Sequence, residues 1–152
     1  MHQLLLIAHS IFRWAVLASL LYAIYRVWQG YNKQLPFTKT DNSLRHWTAT
    51  IAHIQLLMGI LLYTQSPVAK AMVSEIRNGW SDPVFFGLIH IALMLTAIVF
   101  ITIGSAKAKR KALDSDKFRT MLTYFSIGLL IIFIAIPWPF LPLAQRPYLR
   151  HF

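Results

Sequence analysis

PVFFGLIHIALMLTAIVFITIG, residues 83–104, decides the fold. No charged side chain interrupts it, its one ionisable group is His90, and it exceeds the roughly 20 apolar residues that a helix needs to cross about 30 Å of hydrocarbon. Working outward, three further mostly apolar runs are of similar length, about Leu4 to Trp28, Leu44 to Tyr63 and Phe118 to Phe140. Helix punctuation separates them: Thr40-Asp41-Asn42 precedes the second run, and Ser81-Asp82 precedes Pro83, which suits a first-turn proline.

The composition agrees. Of 152 residues, 57% are apolar and only 13% charged, and the mean hydropathy is +0.52, too little polar surface to coat a soluble domain of this size. The expectation is an all-α integral membrane protein, an antiparallel up-down four-helix transmembrane bundle forming one domain over residues 1–152. The first run lacks a basic leading segment and a small-residue cleavage site, so it is expected to stay in the mature chain. Trp28, Trp47, Trp80 and Trp138 fall near span ends, where an interfacial aromatic belt would place them.

The formal charge of +10 would suggest nucleic acid as a partner of a soluble protein. Here the cations gather between the apolar runs, so membrane lipid is the expected partner and nucleic acid is not. The first connection carries Lys33 and Lys39, flanked by Arg26 and Arg45; the third carries Lys107, Lys109, Arg110, Lys111, Lys117 and Arg119. Both are therefore assigned to the cytoplasmic side, leaving the second connection and both termini outside, although Arg146 and Arg150 in the tail pull weakly the other way. Within the second connection, Ser66-Pro67 reads as a cap and first turn, Asn78-Gly79 as a stop, and Val68, Met72 and Ile76 recur every fourth residue. That pattern describes either a short helix lying on the membrane surface or an ordinary linker.

Ionisable groups at membrane depth are costly and mark candidate sites. They are His9, Arg13, His53 and His90, and no Asp or Glu lies deep in any span. With no cysteine in the chain, thiolate sites and disulfides are excluded, and neutral imidazole is the natural ligand for haem iron, copper or zinc. No nucleophile, acid pair or nucleotide loop supports a hydrolase, transferase or ATPase.

Depth narrows the choice. His9 and His90 enter from the same side and differ in depth by roughly 3 Å, whereas His53 sits roughly 5 to 8 Å deeper. The first and third helices of an up-down bundle are diagonal, so two histidines at one level would face each other across a gap wide enough for a porphyrin, each filling one axial position. Gly87, one turn before His90, and Gly59, near the His53 face, would let a flat ring approach the backbone. Arg13 would pair with a haem propionate or raise the haem potential. Phe86 and Met94, one turn either side of His90, read first as packing. His53 alone equally reads as an interhelical hydrogen-bonding residue, His46 as an interface residue, and His2 and His151 as solvated termini.

The segments HSIFRW (9–14), IAHIQLLMGILLY (51–63), HIALMLTAIVFITIG (90–104) with its Lys-rich loop, and IPWPF (136–140) together resemble small bacterial four-helix integral membrane proteins labelled cytochrome b-like. The resemblance covers nearly the whole chain and implies a bacterial inner-membrane protein with haem b. It also implies a histidine in each of the first three spans, here His9, His53 and His90, so that any two could be the axial pair. Many of those proteins carry an acidic residue immediately before the third histidine, where this chain has Ile89.

The leading expectation is thus a b-type cytochrome, an electron-transfer component and not a stand-alone catalyst, passing single electrons between quinol and a redox partner or a larger membrane complex. Two others compete. One is a non-catalytic accessory subunit of a larger membrane assembly. The other is copper handling by His53, Met58, His90 and Met94 as soft ligands.

Overall fold

The structure, a computed structural model, describes residues 2–77, 79 and 81–138. It is all-helical among these residues. The helices are α1 (His2–Asn32), α2 (Lys39–Gln65), α3 (Pro67–Glu75), α4 (Asp82–Arg110) and α5 (Asp114–Ala135). All but α3 are long and apolar enough to cross a membrane, as the four apolar runs predict. Even the shortest of the four, the 22 residues of α5, reaches about 33 Å at 1.5 Å per residue.

Helix boundaries follow local chemistry. α2 begins five residues before the expected Leu44, because Thr38 and Asp41 form a reciprocal capping box. The Thr38 hydroxyl accepts from the Asp41 amide at 3.3 Å, while the Asp41 carboxylate accepts from the Thr38 amide at 2.9 Å. α5 stops at Ala135 and not at Phe140, since Pro137 cannot continue a helix; Pro139 and Phe140 lie outside the described residues, as do Asn78, Trp80, Arg146, Arg150 and His151. The second connection resolves in favour of a helix. α3 is capped by Ser66, whose hydroxyl accepts from the Ala69 amide at 3.2 Å, with Pro67 in its first turn. Beyond it Gly79 takes φ +95°, a backbone conformation that only glycine adopts cheaply.

α1 packs against α2 and α5, and α4 packs against the same two, so that α1 and α4 make no extensive contact with each other. Small residues allow the close approaches. A methyl group at Gly30 would stand 2.5 Å from the Phe118 ring, one at Gly128 would stand 2.7 Å from Ile101, and one at Gly104 would collide with Tyr124. Around these glycines lie Leu20, Ala23, Val27, Ile101, Ala108, Phe118, Met121 and Phe125, all buried. The outward faces carry Leu21, Tyr22, Leu57, Leu61, Val99, Leu130 and Phe133, each more than half exposed.

Charged groups at this end are held by protein. Asp41 is 1% exposed and receives the Arg26 guanidinium at 2.9 Å, and buried Arg45 donates to the Ser105 hydroxyl at 2.6 Å and to Asn42 at 3.1 Å. Trp28 and Trp47 are exposed at the helix ends as a belt would need, but Trp138 is buried. It packs against Trp14 and Phe133, with ring centroids at 6.1 and 5.0 Å, and its indole N–H donates to the Phe133 carbonyl at 2.8 Å.

Candidate functional site

Where α1 and α4 stand apart, a cavity of about 270 Å³ opens between α1, α2 and α4, bounded also by the end of α5 and the start of α3. His9, Arg13, Gly59, His90, Met94 and Phe86 all line it. The lining runs from His2 to Val16 on α1 and from Ala52 on α2 to its cap Ser66, roughly 20 Å along each helix axis. Leu, Ile, Val and Ala alternate along the cavity wall with His2, His9, Ser10, Arg13, Gln55, Tyr63 and His90.

His90 is fixed from α5. Its Nδ1 lies 2.8 Å from the Ala135 carbonyl, which can only accept, so Nδ1 carries the proton and Nε2 is left with a bare lone pair. That carbonyl is free because the helix ends there: the last four carbonyls of a helix lack amide partners, and Pro137 guarantees the end. Ile89 offers no carboxylate to orient the ring, and the Ala135 carbonyl fills that role.

His9 has a different setting. Its Nδ1 is buried without a hydrogen bond among the described residues, and a methyl group at Gly59 would stand 3.3 Å from its Cε1. Gln55 ties α2 to this turn by donating from Nε2 to the His9 carbonyl at 3.0 Å, while its own Oε1 is buried and unbonded. Arg13 lies with its guanidinium carbon 5.4 Å from the centre of the Trp14 ring.

The segment before His90 is not α-helical. Phe85–Ile89 forms a π turn, in which the His90 amide donates to the Phe85 carbonyl. Single π turns inside α-helices are rare and gather at functional sites. The Gly87 carbonyl within it accepts from the Tyr63 hydroxyl at 3.0 Å.

Several expectations are corrected. His53 does not line the cavity; it is exposed on the outer side of α2, bonded across to α4. The Thr102 hydroxyl spends its proton on the Ile98 carbonyl at 2.7 Å, so the 2.8 Å contact is His53 Nε2–H donating to Thr102 Oγ1, which leaves Nδ1 as a bare acceptor. Gly87 does not serve a flat ring: it admits Met72 of α3, whose Cβ would be 2.6 Å from an added methyl. Gly59 belongs to the His9 side of α2 and not to the His53 side. His2, expected to be solvated, lines the cavity with its Nδ1 buried and unbonded. His46 is exposed beside Trp47, as an interface residue would be.

The proposed copper set is not assembled, since His53 and Met58 are both absent from the cavity that His90 and Met94 share. Among the described residues no group of three or more His, Cys, Asp or Glu side chains is placed to hold a bare metal ion.

No protein-family model, curated protein or solved structure matches this chain. The likeness to cytochrome b-like proteins therefore rests on the motifs quoted above. Gln55 and Tyr63 are polar lining residues that the sequence reading passed over, and His2 is one it placed in solvent. A search for any polar side chain deep in an apolar run, and not only ionisable ones, would have found Gln55 in IAHIQLLMG.

Proposed function

We propose that the chain is a multi-pass protein of the bacterial inner membrane, an up-down four-helix bundle that holds one haem b between His9 and His90 and carries single electrons. Membrane insertion is supported by the inversion of its surface. Leu, Tyr, Val and Phe face outward while Ala and Gly close the helix contacts, the arrangement suited to hydrocarbon as solvent. The Lys-rich third connection favours placing the α4–α5 turn in the cytoplasm, so that the cavity opens toward the periplasm along with the chain's start.

The observation that carries the haem reading is the His90 hydrogen bond. A ligating histidine commonly donates its other ring N–H to a carbonyl, which fixes the tautomer and raises the basicity of the ligating nitrogen. His90 meets that requirement before any ligand is considered. His9, on the opposite wall, supplies a buried nitrogen without a partner among the described residues, a state that costs about 1–3 kcal/mol unless something bonds to it. Gly59 keeps α2 from crowding that ring. When bound, haem b would supply one-electron chemistry at its iron. Arg13 would set a positive charge beside it, favouring the reduced state or pairing with a carboxylate. His9 and His90 would hold the group from opposite walls of the cavity, and one-electron exchange with quinol and a redox partner or larger membrane complex is the chemistry it would supply.

Absorption spectra of the detergent-purified protein, oxidised and dithionite-reduced, test this reading. A Soret band with sharp reduced bands is expected. Protein made with haem and iron supply intact and yet colourless would overturn it.

One observation favours a second reading, an accessory subunit packed against a larger assembly. His53 is exposed on α2 with its Nε2 committed to Thr102, so a hydrogen-bond donor from another transmembrane helix would find Nδ1 as an acceptor. In that case deleting the chain would dissolve a partner complex, while alanine at His9 and His90 would leave the complex intact.

A further inference from the structure

The π turn and its attachments have a role that the haem reading does not by itself assign. Relative to an α-helix, a turn closed from residue i to i+5 holds one extra residue, which rotates everything before it by about 100° against everything after it. The turn ends at His90, so its presence decides which face of α4 continues from that residue. Two neighbours hold it. On one side Tyr63 of α2 donates its hydroxyl to the Gly87 carbonyl at 3.0 Å; on the other, Met72 of α3 sits against Gly87 where a side chain would collide. In FFGLI (85–89) only Gly87 is a poor α-helix former, at about 1 kcal/mol, and that by itself does not call for a π turn. The attachments from α2 and α3 are the physical reason available for it.

We infer that Tyr63 is a positioning residue for His90: its hydroxyl stabilises the π turn, and the turn aims the imidazole so that Nδ1–H meets the Ala135 carbonyl and Nε2 stays free for a ligand. Phe85 and Phe86, with ring centroids 5.9 and 6.0 Å from the His90 ring, move with the turn and so share its orientation. The inference rests on the reading of His90 as a ligand only for its consequence, since the turn and the Ala135 bond exist in the chain itself.

The test uses full-length protein in detergent, Tyr63→Phe against wild type, with Tyr22→Phe on the outer face of α1 as control. Without added haem, nitrogen-detected NMR of His90 and amide exchange over residues 85–91 are read. Tyr63→Phe is expected to raise exchange there at least tenfold, leave residues 97–108 unchanged and mix the His90 tautomers. Unchanged exchange and an intact Nδ1–H tautomer would overturn the inference, and so would exchange that rises equally through residues 97–108, which would mean general loosening. In haem-loaded protein the same substitution is expected to shift the midpoint potential and the low-spin electron-resonance signature. A shift in the haem-free observables without any haem uptake would sink the haem reading and leave the role of Tyr63 standing.

Discussion

The two ends of the long helices use their polar residues in opposite ways. At the end where α1 meets α2 and α4 meets α5, Arg26, Asp41, Arg45, Asn42 and Ser105 bond one another, and glycines draw the helices together. The hydroxyl of Thr48 is an exception there, buried without a partner among the described residues. At the other end His2, His9 and Gln55 each present a buried atom with no partner among the described residues, and all three face one cavity. The first end carries stability. The second end leaves polar groups without partners among the described residues, and these are the groups the proposed haem site would use.

That contrast can be broken most forcefully at the packed end. Asp41→Ala would strand the half-buried Arg26 and remove the α2 capping box, so a loss of about 3–5 kcal/mol is expected, read as a lower unfolding midpoint in detergent. Gly128→Val would overfill the α4–α5 contact and cost about 1–3 kcal/mol by the same measurement. At the cavity end the pattern should reverse. Gly59→Ala sets a methyl 3.3 Å from the His9 ring, a contact that a small shift relieves, so stability should change by less than about 1 kcal/mol. Haem affinity, measured by titration into haem-free protein, should nevertheless fall. The smallest effect is expected from His53→Ala, which removes one interhelical hydrogen bond worth about 0.6 kcal/mol and should leave any haem spectrum unaltered.

Much of this was legible in the sequence, for reasons that differ by residue. The four long helices follow from uninterrupted apolar runs, and depth along those runs put His9 and His90 at one cavity. Two boundaries were misplaced: the Thr38–Asp41 capping box starts α2 five residues before the expected Leu44, and Pro137 ends α5 short of the expected Phe140. What could not be read is rotation. Whether His53 faces the cavity or the surface depends on the packing of α2 against α1 and α4, and a helix apolar on every side gives no face to reason from. The π turn was hidden for the same reason: the groups that meet it at Gly87, Tyr63 and Met72, are distant in sequence. Gly87 looked like room for a ring and proved to be room for α3.

The central claim is that His9 and His90 hold a haem and His53 does not. Reduced-minus-oxidised spectra of three alanine variants, at equal protein and with haem supplied, address it directly. The expected result is that His53→Ala keeps the Soret and reduced bands of the wild type while His9→Ala and His90→Ala lose them. Bands that survive both of the latter substitutions, or that vanish only with His53→Ala, would contradict it.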